Sequence, residues 1–149
     1  MIKLKNYTSG VPVSRTVSRI EEILAVAGAK AIGKDYENGK LSSVTFQMVM
    51  NRRDFLIRLP ANPRAVYESM KKEVKRPHAG TLDRLQEQAD RTAWKIQLDW
   101  LEIELTKLRL NQTEPLQAFL PYIWDGHQTY FHALKEKGFK AMLTDKSQS

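Results

Sequence analysis

The sequence contains no cysteine. That absence removes disulfides, thiolate metal sites and cysteine nucleophiles, and it fits a reducing setting. No apolar run approaches the roughly 18 residues that a membrane span needs. The N-terminus also lacks the apolar block of a signal peptide, so a soluble cytoplasmic protein with no membrane partner is expected. A Walker loop, a Gly-rich dinucleotide turn and a serine elbow are missing as well. His78, His127 and His132 do not have the spacing of a helical zinc motif, and His127-Gln128-Thr129 is only half of a two-histidine phosphoesterase signature. On these grounds no catalytic residue, metal or cofactor is assigned.

What the chain does have is positive charge concentrated in one half. Its 149 residues carry a net charge of +7, with 15 Lys+Arg against 7 Asp+Glu in residues 1–80 and 9 against 10 in residues 81–149. A one-sided basic surface is the electrostatic footprint of nucleic-acid binding, and equally of docking on an acidic protein surface. With no linker, repeat or low-complexity tract, residues 1–149 read as a single domain, long enough to bury a core. The polar residues 143–149 read as a disordered tail.

The longest helical pattern runs from Thr81 to Leu110 and is apolar on two sides. Leu82, Leu85, Ala89, Ala93, Ile96, Trp100 and Ile103 form one stripe, and Trp94, Leu98, Leu101, Leu105 and Leu108 form another. Two stripes call for two packing partners. Arg91, Lys95, Asp99, Glu102, Thr106 and Arg109 fall on the arc left for solvent, while Gln97 and Glu104 lie at a seam between the stripes.

Around this helix the rest of the chain reads as α+β. Ile2 and Leu4 alternate with Lys3 and Lys5 as a short edge strand or a frayed end would. Val17, Ile20, Leu24 and Ala27 predict a helix with Ser14 as N-cap and Gly28 at its end. Asn38-Gly39 is the preferred pair for a type I′ turn. It joins residues near 30–37 to a strand on which Val44, Phe46, Met48 and Met50 alternate with Thr45, Gln47 and Val49. A second turn at Asn51, Arg52 and Arg53 leads to Phe55, Ile57 and Leu59, completing a three-stranded antiparallel meander. Asn62-Pro63 starts a helix expected to reach about Arg76. Thr113 is read as the cap of a helix that Pro121 kinks or shortens, and Asp125-Gly126 turns into a last helix around Tyr130, Phe131 and Leu134. The sum is a three-stranded meander packed with about five helices, one of them long and central (residues 81–110).

The sharpest candidate site is the basic set Arg52, Arg53, Arg58, Arg64, Lys71, Lys72, Lys75 and Arg76, a hairpin tip plus one helix face that would line a groove along a phosphate backbone. Tyr36 and Tyr67 are the candidates for base stacking, since Phe46 and Phe55 fall on the core alternation. Glu73-Val74-Lys75 has the Glu-x-Lys form of metal-dependent nucleases, but it sits on a predicted helix, where such pairs normally sit on a strand.

Several blocks carry a resemblance. They are Tyr7-Thr8 with Val13 and Thr16-Val17-x-x-Ile20; Arg58-Leu59-Pro60-Ala61-Asn62; Glu87-Gln88-Ala89-x-Arg91-x-Ala93-Trp94-Lys95 with Asp99-Trp100; and Phe119-Leu120-Pro121-Tyr122. Together they resemble a family of small, largely uncharacterised proteins of bacteriophages, prophages and mobile elements. The resemblance implies a phage or mobile-element origin and a bacterial host cytoplasm, and it brings no activity. The order of helix, meander and basic helix is also similar to the core of single-strand annealing proteins, a likeness of order alone. The leading expectation is a non-enzymatic nucleic-acid-binding accessory protein of replication or recombination, with DNA as partner. The alternative is an effector that inhibits a host defence nuclease (anti-CRISPR-like) or a host polymerase, docking on an acidic host protein through the basic face or an apolar patch at Tyr122 and Trp124. A nuclease using Glu73 comes third.

Overall fold

The computed structural model describes residues 3–144. In order it contains α1 (Val13–Val26), β1 (Ala31–Glu37), β2 (Lys40–Met50), β3 (Arg53–Pro60), α2 (Pro63–Lys71), α3 (Ala79–Arg109), α4 (Pro115–Phe119) and α5 (Tyr130–Glu136). Short 3-10 turns follow α4 at Leu120–Tyr122 and α5 at Lys140–Met142. The architecture is the expected α+β, with an antiparallel sheet in the order β1-β2-β3 and the long helix at its centre. Ile2 of the terminal alternation and positions 145–149 of the polar tail lie outside the described residues. Residues 3–12 form no strand.

Both sheet turns hold two residues at positive φ. Asn38 and Gly39 sit at φ 52° and 77°, joining β1 to β2 as a two-residue turn whose twist matches the strands. The second turn is Asn51 and Arg52, at φ 50° and 65°, and Arg53 is already paired with Met50. The expected alternation then holds. Val44, Phe46, Met48 and Met50 of β2 are buried with Ile57 and Leu59 of β3 under the helices. Thr45, Gln47, Val49, Leu56 and Arg58 point to the other face, where Val49 and Leu56 are about half exposed.

Three helix boundaries differ from expectation. α1 begins at Val13 with Pro12 at the N-cap, so Ser14 caps nothing; the proline carbonyl accepts from the Arg15 and Thr16 N–H groups. Before α4, Thr113 donates its hydroxyl to the Gln117 side chain, and Pro115 opens the helix under Glu114. Asn62 does cap α2, accepting from the Ala65 N–H at 3.3 Å, but the helix ends at Lys71, short of Arg76. Lys71, Lys72, Lys75 and Arg76 repel one another at helical spacing, and Pro77 disfavours helix in the residue before it.

α3 crosses the sheet with one stripe. Trp94, Leu98 and Leu101 are buried in the main core together with Val17, Ile20 and Leu24 of α1 and with Phe119. The other stripe is only partly covered, so the second packing partner is incomplete. Trp100 meets Phe119 and Tyr122 edge-on at 6.2 and 5.4 Å, but Ile96 and Ile103 remain exposed because α4 and the turn after it reach no further than Trp100. Gln97 does bridge a seam, donating to the Pro60 carbonyl at 2.7 Å.

The arc assigned to solvent is in part covered by the N-terminal segment. Asn6 Nδ2 and Lys5 Nζ reach Asp99 at 2.7 and 3.2 Å. Gln88 donates to the carbonyls of Tyr7 and Ser9, Arg91 to that of Ser9, and Thr92 to that of Asn6. Residues 5–9 thus form a strap held by α3 side chains gripping backbone carbonyls.

Candidate nucleic-acid interface

The strands fix where the predicted cations stand. Arg53 pairs with Met50 and Pro60 with Ser43, so β3 separates its two ends by about 23 Å. Arg52 and Arg53 occupy one end. From the other end α2 runs alongside α3, whose position is marked by two contacts: Gln97 with Pro60, and Asp90 with Lys40 at 3.1 Å. From that second contact α3 continues for roughly 16 Å to its own N-terminus. α2 and the first turns of α3 form a helical prong. Met70 and Ala89 are buried within it, apart from the main core.

The prong carries most of the basic set. Arg64 lies in the first turn of α2, Lys71 and Lys72 at its end, and Lys75 and Arg76 in the turn at 72–78, all exposed. The single groove expected from hairpin tip to helix is therefore two separate basic regions, Arg52–Arg53 at one end of the molecule and Lys71–Arg76 at the other. Arg58 belongs to neither. It lies on the open sheet face, with its guanidinium 4.0 Å from Asp35 and 4.2 Å above the Trp124 ring. Asp35 is held there by the Ser43 and Thr45 hydroxyls, which donate at 3.1 and 3.2 Å.

Ion pairing separates these cations from five lysines of the body, whereas Arg109, Lys135, Lys137 and Lys140 share their lack of a carboxylate within 4.0 Å among the described residues. Lys5, Lys30, Lys34, Lys40 and Lys95 each have a carboxylate within 3.5 Å. Among the described residues, none of Arg52, Arg53, Arg64, Lys71, Lys72, Lys75 and Arg76 has one within 4.0 Å. The hydrogen bond and charge of Glu21 raise the Lys34 ammonium above its ordinary value, so that cation is committed to α1.

No family model, curated protein or solved structure matches the chain. The site therefore stands on its own geometry.

The two tyrosines differ. Tyr36 is 62% exposed on β1, whereas Tyr67 is half-buried with Lys71 Nζ 5.9 Å over its ring. Tyr122 and Trp124 do not form an open apolar patch, since each is half-buried, one against Trp100 and the other under Arg58. Glu73 and Lys75 are exposed in the turn after α2, neither on a strand nor on the helix expected for them. Among the described residues no three His, Asp or Glu side chains converge as a metal site requires.

The aromatic whose surroundings sequence reasoning missed is Trp124. Its backbone N–H donates to the Leu56 carbonyl at 2.8 Å, Ile123 bridges to Ile57, and Trp124 bridges back to Thr129. The only signal in the sequence was Pro121, which ends the helix and frees the next residues to extend beside β3. The turn that follows is tied by Asp125, whose carboxyl accepts from the Gln128 and His127 N–H groups and is held by them below its ordinary value. Thr129 then caps α5.

Proposed function

We propose that the protein is a non-enzymatic nucleic-acid-binding accessory factor, encoded by a phage or mobile element and acting on DNA in replication or recombination within the bacterial cytoplasm. One observation carries the proposal: Lys71, Lys72, Lys75 and Arg76 stand exposed and without carboxylate partners on the prong. Surface cations with no partner in their own chain are the ones available to displace counterions from phosphates. The paired lysines of the body are already committed.

The test is fluorescence anisotropy with labelled single-stranded and duplex DNA at two salt concentrations. The natural protein binds, and its affinity falls steeply with salt. The triple reversal Lys71→Glu, Lys72→Glu, Lys75→Glu binds far more weakly, with the logarithmic salt slope reduced by about two to three. Unchanged affinity in that variant overturns the proposal. So does an absence of binding at low salt, which would turn the search to an acidic host protein.

A further inference from the structure

We infer that Trp124, backed by Arg58, is a stacking platform for an unpaired base, so that the nucleic acid bound is single-stranded. This rests on the nucleic-acid reading above and names its substrate class. The backbone that carries the ring is fixed before any ligand arrives, because residues 123–124 are bridged on one side to β3 and on the other to Thr129. Arg58 is fixed as well, lying between Asp35 and the ring, so it enriches the stack and is not a free phosphate ligand.

Trp124 also lines a groove of about 520 Å³, shared with His127, Gln128, His132, Lys135 and Glu136. One aromatic wall and five polar residues suit a flat ring with hydrogen-bonding edges and an attached anion, which describes a nucleotide. The larger groove, about 820 Å³ between α1 and the end of α3, has no aromatic ring along it; Ile23, Val26, Leu105 and Leu108 line it together with Arg19 and Arg109. In a duplex the bases are already stacked and paired, so a fixed indole meets a free base only on a single strand. Leu56, which holds Trp124, lies between the two basic ends of the molecule.

The experiment titrates the full chain against labelled oligo(dT), oligo(rU) and a duplex. It compares the natural protein with Trp124→Ala and Trp124→Phe, after circular dichroism has compared their folds. Trp124→Ala weakens single-strand binding about tenfold or more and leaves duplex binding unchanged, while Trp124→Phe recovers most of the loss. Because Trp124→Ala is at risk of misfolding, a second readout uses tryptophan fluorescence. Oligo(dT) quenches the natural protein, and the quenching disappears in Trp124→Phe. The tighter of oligo(dT) and oligo(rU) identifies the sugar. Equal losses on single strand and duplex, or quenching that persists in Trp124→Phe, overturn the stacking role alone. A natural protein that binds no nucleic acid overturns the functional reading itself.

Discussion

From Ala93 onward, α3 lays Trp94, Leu98 and Leu101 into a core shared with the sheet and α1. Before that point the same helix buries Ala89 and Thr92, faces Met70 of α2, and is held by hydrogen bonds to the strap. The body buries large side chains and pairs several of its lysines, whereas the prong buries little and leaves Lys71, Lys72, Lys75 and Arg76 unpaired. Stability and the proposed interface therefore reside in different parts of one helix, and substitutions should separate them.

The largest effect is expected in the body. Trp94→Ala should cost about 3–5 kcal/mol in urea unfolding and lower the stability of the whole chain. In the prong, Met70→Ala should cost about 2–3 kcal/mol. Hydrogen exchange should show that loss first in α2 and the early turns of α3. If β2 amides lose protection equally, prong and body are one cooperative unit and the contrast fails.

The strap gives a smaller effect with a pH signature. Burial pushes the Asp99 carboxyl up, but the hydrogen bonds from Asn6 and Lys5 and the charges of Lys95 and Lys5 bring it below its ordinary value of 3.8. A depressed carboxyl contributes stability that is present above that ordinary value and lost as pH falls through the lower folded one. Asp99→Ala should cost about 1–2 kcal/mol near neutral pH. It should also flatten the acid limb of the stability profile below pH 3.8, and a limb unchanged by the substitution would remove Asp99 as its cause.

The smallest effect has the opposite sign. Arg52 holds φ 65° at the β2–β3 turn, a conformation disfavoured for a residue with a side chain. Arg52→Gly should stabilise the protein by about 0.5–1 kcal/mol while removing an unpaired cation. A destabilised variant would mean that the arginine makes a stabilising contact at that turn.

The parts legible in the sequence are those encoded locally. Asn38-Gly39 and the alternation after it gave the hairpin, and helical spacing gave α3, because both signals lie within a few residues of the structure they specify. The strap was not legible, since Gln88, Arg91, Thr92 and Asp99 grip groups 79–93 positions away. Periodicity alone extends α2 through Val74, because it does not register the repulsion among the lysines. The basic residues were recognisable by type, but their division between two ends follows from the length of β3. Local sequence puts Trp124 in an apolar patch, since nothing near it announces Arg58, which lies 66 positions earlier in the chain.

The two margins of the sheet have unequal fates. The outer side of β3 is covered at Leu56 and Ile57 by residues 123–124, while β1 has no strand or bridge on its outer side among the described residues. An uncovered strand is a template for the strand of another copy. Here the template is marked with charge: Lys34, Asp35 and Glu37 lie along it, and Lys30 stands just ahead of it. Charge along an open edge disfavours pairing with the same edge of another copy, a consequence that a measurement of folding free energy on the dilute protein would not register.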